Sequence, residues 1–291
     1  MNGKGKGATV LEAVDSAPFP HHVECPAGLN PVPRSAPPDP ADGTALRSAP
    51  DVHWAWWDDE LVALDLASDR FVALDSAASG AVSEALTSEA PPSSPSARRI
   101  LDGLCARGLL VTAASTDPGW EPVRPTRPGG VSSFAPQPLK GLSTHSAPPP
   151  TPATLALAAR LLADSEGRLR RHGLLTPPRD ARRPRLPEQA GDPGSDELVR
   201  ARTLVRAHLV VRGLLARPSN PLSAAAALAR HAWRMGLPAH LVLGVQKYPF
   251  HTRVFVELHR VVLDDAQEVV DALAPILVIG PETAGAGEVS P

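Results

Sequence analysis

Hydrophobic and polar positions change rhythm along this chain, and the changes mark its elements. From His53, Trp54 and Trp56 flank Ala55 before Asp58-Asp59 marks a turn. Val62, Leu64 and Leu66 then alternate with other residues, Ser68-Asp69 marks a second turn, and Phe71 to Leu74 forms a third short apolar run. Period-two alternation broken by turn residues predicts a three-stranded antiparallel meander. The period then lengthens. Asp75 or Ser76 is placed to cap a helix running to about Leu86. A second helix is predicted from Ser94, with Pro95 at its first position, an apolar face of Ile100, Leu101 and Leu104, and Gly108 as its stop.

Helical spacing returns at Thr151-Pro152, with Leu155, Ala158 and Leu162 on one face and an end near Gly173. Another helix is predicted from about Ser195 to Leu215. Its first turn carries Asp196 and Glu197, where the helix dipole favours acids, and its buried face is read as Leu198, Val205 and Leu209. Leu222 to Met235 forms a third, with Leu222, Ala225, Ala229 and Ala232 aligned and Gly236-Leu237-Pro238 ending it. His240 to Val245, Arg253 to Leu258 and Arg260 to Leu263 read as successive antiparallel strands. The fold class is therefore α+β.

Composition sets the boundaries between these blocks. The chain has 291 residues and 34 prolines, and the prolines cluster. Proline fixes φ and lacks a backbone donor, so Pro-rich stretches do not sustain helix or sheet. Residues 1–50 read as a disordered Pro-rich tail, 113–150 as a Pro-rich linker and 281–291 as a second tail. The folded parts are 51–112 and 151–280. His21, His22 and Cys25 form a small cluster in the first tail, but three residues without a fourth partner do not define a metal site, and none is assigned. Arg168 to Arg185 is a basic stretch read as a solvated charge run.

A net charge of −2 gives no global reason to expect nucleic-acid binding. No run approaches the roughly 20 apolar residues needed to cross a bilayer, and no early segment resembles a signal peptide. Cys25 and Cys105 are the two cysteines, too few for a disulfide framework. These features predict a cytoplasmic protein without membrane insertion.

The segment "DDELVALDLASDRFVALDSAASGAVSEAL", followed by "RRILDGLCARGLL", resembles the RiPP recognition element, a PqqD-like winged-helix module that binds leader peptides of ribosomally made natural products. The resemblance implies that a leader adds as a strand beside the third strand and packs on the last helix. Carried onto this chain, Arg70, Phe71, Val72, Ala73 and Leu74 would offer backbone groups, while Ala97, Leu101, Leu104 and Cys105 would line the groove. An edge strand has unpaired N–H and C=O groups that an extended peptide can satisfy.

The later block, through "GLPAHLVLGV", "YPF" and "VFVEL…VVLDDA", is similar to the leader peptidase, or B protein, of lasso-peptide biosynthesis, of the kind that fuses recognition element and peptidase. This implies a transglutaminase/papain-like cysteine-peptidase fold: a cysteine at a helix start, a histidine on the facing strand and an aspartate orienting it. Here the cysteine position holds Pro221 and the histidine position Arg253. The aspartate position is kept at Asp265, beside Asp264. Proline has no nucleophile, and a guanidinium does not give up its proton. An Arg253–Asp265 ion pair is expected in place of the histidine–aspartate pair.

Ser219 and His251 are the displaced residues that would have to rescue activity with Asp265. More simply, Ser219 is a helix N-cap and His251 a polar loop residue. His231, His240 and His259 read as surface or partner-satisfied histidines. Three readings follow. The first is a leader-binding maturation protein whose peptidase domain is catalytically inactive and whose partner is an asparagine-synthetase-like cyclase. The second is an active leader endopeptidase using Ser219, His251 and Asp265. The third is a winged-helix binding protein with an unrelated ligand. No cofactor is expected, since no phosphate-cradling glycine loop is visible.

Overall fold

The computed structural model describes residues 45–88, 94–113, 122, 124–125, 147–172, 194–215, 218–248 and 250–280. His21, His22, Cys25, most of the basic stretch and the C-terminal tail lie outside the described residues. The architecture is mixed helix and antiparallel sheet, as the α+β reading expects.

The meander forms as its turns dictate. β2 (Val52–Trp57), β3 (Glu60–Asp65) and β4 (Arg70–Ala73) make one sheet in the order β2-β3-β4. Asp58 and Asp69 hold φ of 52° and 55° at its two turns, a region that aspartate tolerates better than most residues. Asp75 caps α1 (Ser76–Thr87), its carboxylate accepting from the Ala78 N–H at 2.8 Å. α2 (Pro95–Ala106) begins at the expected proline, and Gly108 follows it with φ 72°.

Two further strands enclose this unit. β1 (Ala45–Ser48) lies inside the segment read as a disordered tail, and it pairs antiparallel with β5 (Leu110–Ala113). Each has only four residues, so neither shows a period of its own. Ser48 accepts the Trp54 indole N–H at 2.9 Å, which satisfies a buried donor.

α3 (Pro152–His172), α4 (Ser195–Leu214) and α5 (Pro221–Arg234) pack together through Ala158, Leu161 and Leu162, Ala207 and Val211, and Ala224 and Ala227. The start of α4 is fixed by the Glu197 carboxylate accepting the Gly194 N–H at 3.1 Å. Its buried face is Ala201, Leu204, Val205, Ala207, His208 and Val211, whereas Leu198 and Leu209 sit only half-buried. α5 is buried on nearly every side. Small alanines let three neighbours approach it at once, as a helix apolar all round requires.

On its other side α5 meets a four-stranded antiparallel sheet, ordered β8-β7-β6-β9. The strands are β6 (His240–Gln246), β7 (His251–Leu258), β8 (Val261–Val262) and β9 (Ala274–Ile279). A short α6 (Gln267–Val270) precedes β9. The pairing of β6 with β9 shifts register between Leu243 and Gly244. A Cβ on Gly244 would lie 2.9 Å from that of Leu273, so the irregularity leaves room for glycine alone.

The two folded parts share a core. Trp54, Leu61, Ala63 and Val72 face α1 and α2. Ala55, Trp57, Val62 and Leu64 on the opposite face join Leu228, Ala229, Leu243, Val256 and Ile276 of the second part. Lys247 locks the contact. Its ammonium is buried and donates to the Glu60 carboxylate and, at 2.7 Å, to the Leu74 carbonyl. The presumed linker also returns to the fold, with Arg124 over the Trp56 ring at 4.8 Å and donating to the Asp58 carbonyl at 2.7 Å.

Removing one member of a buried ion pair leaves an uncompensated charge. Lys247→Ala is expected to lower the free energy of unfolding by about 3 kcal/mol, read as a drop in the urea unfolding midpoint. Adding Glu60→Leu should recover part of that loss.

Candidate functional site

The peptidase-like positions come first. Asn220, and not Ser219, caps α5: its side-chain carbonyl accepts the Leu222 N–H at 2.9 Å, and Pro221 follows at the first helical position. The Ser219 hydroxyl is buried and makes no hydrogen bond among the described residues, and the same is true of Ser223 one turn into the helix.

β7 begins at His251 and runs through Arg253. The Arg253 Nη1 donates to both carboxylate oxygens of Asp265, at 2.8 and 2.7 Å, so the expected ion pair is formed. The Arg253 Nε donates to His251 Nε2 at 3.2 Å. His251 is therefore not the loop residue expected; it is the first residue of the strand, and its ring accepts from a guanidinium. Burial and the Arg253 charge push its pKa down, opposed in part by Asp265. A Ser219–His251–Asp265 relay is not assembled, because one arginine engages both the imidazole and the carboxylate.

The strand's period sharpens this further. Val254, Val256 and Leu258 point into the core that contains α5. Phe255 points to the other side of the sheet, with Val242, Val262, Val270 and Val278. Arg253 and His251 share the parity of Phe255 and so lie on the face away from α5. The strand does pack on α5, as a peptidase-like reading expects, but it does so through Val254 and Val256 and not through Arg253.

Asp264 points elsewhere. Its Oδ1 accepts the Val256 N–H at 2.7 Å. Burial, reinforced by the Asp265 charge, pushes its pKa up to about 7 against the Val256 hydrogen bond and the charge of Arg212. The histidines are mostly partner-satisfied. His231 and His208 form a buried pair, Nδ1 to Nε2, at 3.1 Å. Burial and its neighbour hold His208 down to about 3, so it stays neutral. His259 lies 3.4 Å from the Glu197 carboxylate. Cys105 is half-buried, and burial together with Asp102 raises its thiol pKa, the opposite of what a nucleophile needs.

The peptide-binding candidates divide differently. Among the described residues β4 is an edge strand, paired with β3 alone. The Leu74 N–H donates to Leu61 and its carbonyl accepts from Lys247, so Leu74 offers neither group. Antiparallel alternation then turns Arg70 and Val72 toward β3 and the N–H and C=O of Phe71 and Ala73 outward. No hydrogen bond among the described residues reaches those four groups. On α2, Leu101 and Leu104 are buried in the core and do not line a groove. Ala97, Ile100 and Cys105 are the half-buried residues of this helix. The resemblance put Ala97, Leu101, Leu104 and Cys105 together in a groove, and two of them, Leu101 and Leu104, belong to the core.

Among the described residues, no group of three or more metal-ligating side chains is present, and no helix is long and apolar enough to cross a membrane. No family model, curated protein or solved structure matches the chain.

The raised Asp264 pKa has a definite sign in stability. Between the ordinary carboxylate value near 4 and the folded value near 7 the folded state holds the extra proton, so stability falls as pH rises through that window. Asp264→Asn keeps the acceptor for Val256 and should flatten this fall, measured as unfolding midpoints at pH 4.5 and 7.5.

Proposed function

We propose that this protein binds an extended peptide along β4, and that the peptide is the leader of a ribosomally made precursor. The observation that carries the reading is the outward N–H and C=O of Phe71 and Ala73 on an edge strand. Strand addition is the way a peptide backbone satisfies such groups. The resemblance of residues 51–112 to a leader-binding module supplies the substrate class. The similarity of residues 151–280 to a leader peptidase supplies the pathway, lasso-type peptide maturation, and its expected partner, an asparagine-synthetase-like cyclase.

In this reading the second part is a pseudoenzyme. Pro221 cannot attack a carbonyl. Arg253 cannot act as a base, and it occupies the carboxylate and imidazole that a displaced serine would need. The part survives as packing support for the meander, to which it is joined through a shared core and Lys247. The active-peptidase reading has no nucleophile with a base in reach, so the purified protein should release no leader from the precursor by mass spectrometry. Leader release that disappears in Ser219→Ala or His251→Ala would establish that reading instead.

Binding has its own test. Ala73→Pro removes an outward donor and leaves the bonds from β4 to β3 in place. A fluorescein-labelled leader from the precursor encoded nearest this chain should lose at least tenfold in affinity to that variant, measured by anisotropy. An unchanged affinity would place the peptide elsewhere.

A further inference from the structure

Two elements bear on the meander, and the second comes from the far part of the chain. One is α2, whose half-buried Ile100 and Cys105 pack on the same core cluster as Val72. The other is the turn from β6 into β7. Lys247 anchors that turn by holding the Leu74 carbonyl at the end of β4, at 2.7 Å. The Gln246 side-chain amide donates to the Tyr248 carbonyl at 2.9 Å. Phe250 then sets its ring against that of Phe71, edge to face, with centroids 5.3 Å apart.

Tyr248 and Phe250 are nonetheless 59% and 41% exposed, and they are the two aromatic side chains among the described large apolar residues left in solvent. Aromatic rings held rigidly beside open backbone groups are the usual anchors of a peptide site, because they give large contact area at little entropic cost.

Resting on the peptide-binding reading above, we infer that Tyr248 and Phe250 form a specificity wall beside β4, selecting an extended peptide with an aromatic or branched apolar residue facing them. The geometry defines the pattern. In a strand added beside β4, alternate side chains point to opposite faces. Those on the Phe71 face meet Phe250 and Tyr248, and those on the Val72 face turn toward the side of the meander that α1 and α2 cover. An extended backbone satisfies the open groups of Phe71 and Ala73 while presenting alternate side chains to Phe250. The second part thus contributes recognition with residues from the turn that leads into its peptidase-like strand, and it requires no chemistry there.

The test uses the full chain and a displayed library of random 12-residue peptides. Enriched peptides, labelled with fluorescein, are titrated by anisotropy against wild type, Ala73→Pro, Phe250→Ser and Tyr248→Ser. We expect enrichment of an apolar residue at one parity and at least tenfold weaker binding to Phe250→Ser. Alanine at that peptide position should cost as much as Phe250→Ser does, and little more when the two are combined. Tyr248→Ser, whose side chain lies mostly in solvent, carries the same test if Phe250→Ser unfolds.

Binding that Ala73→Pro abolishes but both wall variants leave within twofold would overturn this inference and keep the peptide site. Failure to enrich any peptide, or enriched peptides insensitive to Ala73→Pro, would remove the peptide site and the wall together. A dimer by light scattering that Ala73→Pro dissociates would assign the edge to a second copy of the chain and overturn both.

Discussion

The structure depends on the burial of the meander on both faces. A strand with one buried face can alternate freely, but one buried on both must be apolar throughout or have every polar group satisfied. The chain meets the condition at several points. Asp65 is buried and accepts from the backbone of Ala67 and Ser68 and from the Ser68 hydroxyl. Ser48 takes the Trp54 indole, and Ser79 takes the Leu61 N–H at 2.7 Å. Glu60 at the start of β3 has Lys247. With α1 and α2 on one side and the second part on the other, only an edge of this sheet is left to meet a ligand. β9 lies near β2 without pairing to it, and β4 has no further strand beside it among the described residues.

Where an element carries its own period, the sequence announced it. The meander, α1, α2, α3, α4 and α5 all lie within a few residues of their predicted positions, since turn aspartates, helix-starting prolines and stopping glycines act locally. The missed elements have no local period. β9 reads APILVI, an unbroken apolar run with a proline inside it, and it becomes a strand because both its faces are covered. β1 and β5 each take shape only through the other. The Trp54–Ala55–Trp56 alternation predicted one buried face, and the shared core buries the second.

The candidate site was legible to the same degree. The ion pair of Arg253 with Asp265 was expected from the family resemblance, in which those positions hold a paired histidine and aspartate. The resemblance was not enough to show which side of the sheet Arg253 occupies, a matter of parity fixed by what packs on Phe255 and Val256. A helical stripe containing Leu101 and Leu104 looks the same in sequence whether it meets a core or a ligand. Lys247 joins Glu60 and Leu74 across more than half the chain, and no motif encodes a partnership at that distance.

The connection between β5 and α3 touches the fold at Arg124, and near its end Ala147 is buried with its carbonyl accepting from Arg206 at 2.8 Å. These two tethers belong to different halves: the first rests on the meander and the second on α4. The cohesion between the halves comes from the common core and Lys247, and neither lies on the connecting segment. Covalent continuity and physical unity are therefore separate properties of this molecule. A chain severed between Arg124 and Ala147 keeps the common core and the Lys247 contacts of the described residues, and its halves would reassemble as complementary fragments.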